Sequence, residues 1–115
     1  YASVSPDSRF YDHMSLDPPF LKPPAYGASK AAVVNLTRYL ATVWGPYGVR
    51  VNTLSPGGVL GRQDSEFQRK FNDRVPLGRM AVHTDLVGPL RFLASDASAY
   101  VTGTELRVDG GFTAW

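Results

Sequence analysis

Only two short stretches of this chain alternate apolar and polar residues as a strand does: Val49-Arg50-Val51-Asn52-Thr53-Leu54 and Thr104-Glu105-Leu106-Arg107-Val108. Around them the order runs loop, helix, strand, helix, helix, strand, with no internal repeat. That order is α/β, yet two strands cannot make a self-sufficient sheet. Their partners are expected from residues outside this segment, so the 115 residues are read as part of one domain. Composition agrees, since 43% hydrophobic and 12% aromatic residues supply one compact core and not two.

The helices are read from period and punctuation. Residues 1–24 hold five of the nine prolines and are expected to form a long loop. Val33, Leu36, Leu40 and Val43 then recur at spacings of three and four, which predicts a helix from Ala25 to Trp44 ended by Gly45-Pro46 and Gly48. That apolar stripe is expected to lie against the sheet. Ser55-Pro56-Gly57-Gly58 reads as a breaker cluster. Phe67 and Phe71 mark the buried face of a short amphipathic helix from Asp64 to Arg74, with Asp64 or Ser65 as its cap. A third helix is expected from a Thr84 cap to Ala94, with Pro89 predicting a kink or a late start.

Several function classes are disfavoured at once. Twelve basic against ten acidic side chains give +2, too little for the concentrated positive patch that nucleic-acid binding requires. Without cysteine there is no disulfide framework, thiolate nucleophile or cysteine-ligated metal. His13 and His83 are isolated, so no metal site is expected. No apolar run approaches the roughly 18 to 20 residues of a membrane-spanning helix. The start at Tyr1 carries neither an initiator Met nor a basic signal region and is expected to be a cut; the expected compartment is the cytoplasm.

Tyr26 and Lys30 stand four apart at the start of the first predicted helix, one turn apart on one face. A phenol titrates near 10 when unperturbed, and both a neighbouring cation and a helix N-terminus favour its ionised form. Such a pair can give or take a proton at a carbonyl or alcohol oxygen. The spacing alone also fits a surface pair.

The surrounding text narrows this. Tyr26-Gly27-Ala28-Ser29-Lys30-Ala31-Ala32, then Gly48-Val49-Arg50-Val51-Asn52, then Ser55-Pro56-Gly57, and last Tyr100-Val101-Thr102-Gly103 with Val108-Asp109-Gly110-Gly111, resemble in order the short-chain dehydrogenase/reductase family over residues 25–112. The resemblance implies the C-terminal half of a Rossmann-type, doubly wound parallel sheet. The N-terminal cofactor-binding half is absent: no glycine fingerprint follows a first strand, and Gly57-Gly58-Val59-Leu60-Gly61 follows the wrong strand for that role.

By that resemblance the chain comes from an oxidoreductase using NAD or NADP on a small alcohol or carbonyl substrate, and assembling as a homo-oligomer, a dimer or tetramer. Tyr26 is implied as acid/base and Lys30 as its helper and ribose ligand. Pro56 and Gly57 border the nicotinamide, and the backbone of Val59 meets its carboxamide. A threonine common five residues after the proline is replaced by Gly61, with Gln63 as the possible substitute.

The family's serine, about thirteen residues before the tyrosine, would fall at His13. Two placements stand open, Ser3 or Ser5 ahead of a long insertion, or a serine preceding Tyr1. The stretch Pro6-Asp7-Ser8-Arg9-Phe10-Tyr11 favours the second, because similar inserts follow the serine-bearing strand directly. Asn35 and Asn52 do not match the family's asparagine; Asn52 is read as a strand-end hydrogen-bonder.

The charges at Arg62, Arg69, Lys70, Arg74 and Arg79 suit a solvated helix face, with Arg62 or Arg69 meeting an acidic substrate as a lesser reading. Trp115 is expected at a subunit boundary or as a frayed end. The competing reading of the whole is a non-catalytic binding or oligomerisation module acting through the helix from Ala25 to Trp44.

Overall fold

The computed structural model describes residues 1–18 and 20–115; Pro19, one of the prolines of the opening loop, lies outside the described residues. Two strands, β1 (Thr53–Pro56) and β2 (Glu105–Val108), run parallel, with Thr53 opposite Glu105 and Pro56 opposite Val108. The helices are α1 (Pro24–Trp44), α2 (Ser65–Arg74) and α3 (His83–Ala94).

The first strand lies later than its sequence pattern predicts. Val51 and Asn52 are held by the 101–104 segment instead of a ladder: Val51 N–H donates to Thr102 Oγ1 at 3.1 Å, and Asn52 Nδ2 donates to the Val101 carbonyl at 2.9 Å. The Thr104 amide returns a bond to Asn52 Oδ1, so Asn52 is the strand-end hydrogen-bonder its position suggested. Pairing then extends into the supposed breaker. Thr53 N–H donates to the Thr104 carbonyl and Gly57 N–H to that of Val108, so the alternate position, Pro56, lacks its donor on the side turned away from β2.

Pro24 opens α1 at its first position, where a missing N–H costs nothing. The helix turns Val34, Thr37 and Ala41 inward, and Thr37 and Ala41 are buried. The Thr37 hydroxyl donates to the Val33 carbonyl at 3.0 Å, so its 2.6 Å contact with Thr53 Oγ1 has Thr53 as donor. Of the stripe expected against the sheet, Val33, Leu36 and Val43 are exposed here, where β1 and β2 are the only strands among the described residues. Periodicity located a helix and one apolar face, but the buried face is the one lined by the smaller residues, which let the helix approach β1.

Asp64 caps α2 by accepting from the Phe67 amide at 2.9 Å. α3 begins at His83, and Thr84 does not cap it; Asp85 reaches back to accept from Val82 N–H at 2.7 Å. Pro89 neither delays the start nor ends the helix, which runs on to Ala94. Arg50 closes its far end by donating to the Leu93 and Ser95 carbonyls, a cation on orphan acceptors.

The core gathers Phe10, Phe71, Val75 and Met80, with Tyr11, Phe67 and Phe112 packed on it. Phe71 and Phe112 stack at 5.1 Å, and Phe10 lies 5.7 Å from Phe71. Burying one such ring stabilises by about 1.5–3 kcal/mol. The proline-rich opening is thus more than a loop: 3-10 turns at Ser8–Phe10 and Asp12–Met14 deliver Phe10 to the centre of the core.

Candidate functional site

Tyr26 occupies the third position of α1, so the first helical turn sets its place, and its amide donates to the Pro23 carbonyl at 2.9 Å. One turn on, Lys30 Nζ stands 5.4 Å from the centre of the Tyr26 ring. A second cation, Lys22, is 6.0 Å from the same centre, and the Tyr1 ring meets it edge-on at 6.0 Å. Burial, and then Tyr11, push the Tyr1 phenol well above its ordinary value, so the neighbouring ring stays neutral. Lys22 also lies four residues before Tyr26, but that spacing has meaning only inside a helix. Its approach comes from the path of the loop, and no sequence signal marked it.

These groups open on a cleft of about 830 Å³ whose lining includes Tyr26, Lys30, Pro56 and Gly57. Four of the five residues singled out in the sequence therefore share one space. Val59 does not line it and is bridged in parallel to Ala81. That bridge uses the Gly58 carbonyl and the Leu60 amide, leaving the Val59 N–H without a hydrogen bond among the described residues. Two glycines let the loop pack closely on its neighbours. A Cβ at Gly57 would stand 2.8 Å from Asp109 Cα, and one at Gly58 would stand 2.5 Å from Phe71 Cζ. A side chain at either would clash with these packed atoms and force a shift.

The acidic groups of the cleft are all engaged. Burial works against ionisation of Asp109, but bonds from the Thr113 hydroxyl and the Gly111 and Thr113 amides outweigh it and hold the carboxyl below its usual range. Burial likewise opposes Glu105, and Arg107 and Ser55 overcome it. Asp64 is lowered first by the Phe67 amide it caps, and His13 Nε2 sits 2.9 Å away, at ion-pair distance but not aligned as a hydrogen bond. Arg69 is taken up by Glu66 and Asp73 outside the cleft, whereas Arg62, in its lining, has no hydrogen bond or ion pair among the described residues. Ser3 lines the cleft with its hydroxyl accepting from Arg107 at 3.1 Å, and Ser5 does not line it. Trp115 is held, not frayed: its indole donates to the Arg74 carbonyl at 3.2 Å.

Among the described residues no helix is long and apolar enough to cross a membrane, and no group of three or more metal-ligating side chains is brought together.

Comparison with known proteins gives one consistent result. A family model described as enoyl-(acyl carrier protein) reductase matches residues 19–113. The chain is 41% identical over 100 residues to 2-dehydro-3-deoxy-D-gluconate 5-dehydrogenase of Dickeya dadantii, covering 82% of this chain and 40% of that protein. It is 43% identical over 98 residues to the ribulose-forming D-arabinitol 2-dehydrogenase of Candida tropicalis, covering 78% of this chain and 35% of that one. Among solved structures it superposes with a TM-score of 0.80 and 42% identity on a short-chain dehydrogenase of Leptospira borgpetersenii with bound NAD+, covering 91% of this chain and 41% of that chain. A gluconate 5-dehydrogenase of Burkholderia cenocepacia in complex with NADP and tartrate gives a TM-score of 0.78 at 35% identity, covering 84% of this chain and 40% of that chain. The chain thus spans about two fifths of the relatives it matches.

Proposed function

This chain belongs to the short-chain dehydrogenase/reductase family, with its Rossmann-type fold, and from that premise we propose that its cleft is the catalytic end of an NAD(P)-dependent oxidoreductase interconverting an alcohol and a carbonyl. The observation that carries the reading is the convergence of Tyr26, Lys30, Pro56 and Gly57 on one cleft. Relatives bearing NAD+ and NADP support either cofactor. The close packing of Gly57 on Asp109 and of Gly58 on Phe71 fixes the course of the loop bordering the cleft, which supports a built wall for such a group.

The bound nicotinamide supplies or receives the hydride. Tyr26 gives its phenolic proton to the carbonyl oxygen in reduction and takes one from the alcohol in oxidation. Lys30, one turn away, favours the phenolate that forms when the proton leaves and holds the nicotinamide ribose. Pro56 and Gly57 would wall the nicotinamide side, and the Val59 amide and carbonyl would receive the carboxamide. The diphosphate and adenosine are held by a glycine turn that these residues do not include. Named relatives act on sugar acids and polyols, which supports a polyhydroxylated small molecule as substrate. The exposed apolar stripe of α1 supports a homo-oligomer, a dimer or tetramer. The test is incubation of the full-length protein with NAD+ or NADP+ and a panel of polyols and sugar acids, followed by reduced-nicotinamide fluorescence. Reduction with at least one member is expected; none, in either direction, contradicts the reading.

A further inference from the structure

Gln63 binds the cofactor loop from both sides. Its Oε1 accepts from Gly61 N–H at 2.7 Å, its Nε2 donates to the Val59 carbonyl at 3.0 Å, and its own carbonyl accepts from Gln68 Nε2 of α2 at 2.8 Å. Only one orientation of the amide satisfies both loop groups, since the oxygen must face the N–H and the nitrogen the carbonyl. One lone pair of its Oε1 and one hydrogen of its Nε2 are committed to the loop backbone. We propose that Gln63 is a positioning residue that sets the Val59 peptide for a primary carboxamide and ties that peptide to the start of α2. The inference rests on the NAD(P) reading above.

Its chemistry follows from the groups left over. A carbonyl oxygen has two lone pairs, and Gln63 uses one of those on Val59. The other, together with the free Val59 N–H, forms an acceptor and donor pair on one residue, complementary to the amide N–H and carbonyl of a carboxamide. The 56–63 segment lies outside helix and strand except for Pro56 at the end of β1 and the single bridge at Val59; Ala81 holds that bridge from one side through the Gly58 carbonyl and the Leu60 amide, and Gln63 holds the Val59 carbonyl from the other. Ordering it in advance removes an entropic cost from binding.

The test uses the full-length protein with Gln63→Met, which keeps length without either polar partner, and Gln63→Glu, which keeps the acceptor for Gly61 but sets a carboxylate oxygen against the Val59 carbonyl. Dissociation constants and KM for NAD(H) or NADP(H), kcat at saturating cofactor and thermal midpoints are measured for each. Both variants are expected to weaken cofactor binding about tenfold, as loss of one pre-set hydrogen-bonded contact implies, with kcat at saturating cofactor falling much less. Filling of space alone would leave Gln63→Glu equal to the unaltered protein. If the unaltered protein binds cofactor and both folded variants bind it equally well, the positioning role is overturned while the NAD(P) reading stands. If the unaltered protein binds neither dinucleotide, both fall together.

Discussion

Pro24 fixes where the helix carrying Tyr26 begins, and two residues later the phenol stands in its first turn with Lys30 one turn beyond. This much was legible, because a Tyr and a Lys four apart share a face in any helix. The company of Lys22 and Tyr1 was not, since it depends on how a proline-rich segment folds back. On the proposed mechanism, Lys30→Ala should weaken cofactor affinity and lower turnover together, read from cofactor titration and steady-state rates. An unchanged affinity would reduce Lys30 to a surface partner. A second residue-scale prediction concerns Asp85, whose carboxyl is held at about 2 by the Arg79 guanidinium first and the Val82 amide next. Its native value lies below the ordinary 3.8, so its contribution to stability is complete above 3.8 and is lost as pH falls through about 2. In denaturation midpoints against pH, the deficit of Asp85→Asn should shrink across that window. A deficit independent of pH would show that the ionised carboxylate is not what stabilises the helix start.

α1 meets β1 through a buried hydroxyl pair, Thr37 and Thr53, on a helix face the apolar period did not single out. Helix existence was readable from spacing, whereas the inward face was decided by which residues are small enough for close approach. With Thr53 donating, Thr37→Val strands a buried donor and should cost about 1–3 kcal/mol. The double variant with Thr53→Val should recover part of that loss, as a double-mutant cycle in urea would reveal. Strict additivity would contradict the pairing. The same scale explains Phe10. Five prolines argued for a loop, and locally they were right, but nothing in period or composition shows that a loop ring will enter a core. Phe10→Ala should destabilise by about 3–5 kcal/mol, measured by chemical denaturation. A cost below about 1 kcal/mol, the range of ordinary surface changes, would mean the opening segment merely rests on α2.

At the scale of the whole molecule, a two-stranded parallel sheet leaves β1 an unpaired edge on the side of Leu54 and Pro56, and α1 exposes Val33, Leu36 and Val43. Two strand-like stretches alone raised the expectation of further strands, whereas the parallel pairing that β1 and β2 show came only from the resemblance. The isolated 115 residues are expected to associate through that edge and stripe, and to bind dinucleotide weakly or not at all because no glycine fingerprint for the diphosphate occurs in them. A monodisperse monomer by sedimentation with tight NADH binding would refute that expectation. The central claim is proton transfer by Tyr26 in a nicotinamide-dependent reaction, and its most direct test is Tyr26→Phe in the full-length protein, with turnover and cofactor affinity measured side by side. Affinity should hold, since the ring remains, while turnover falls about 10²–10⁴-fold. Turnover equal to that of the unaltered protein would contradict the account.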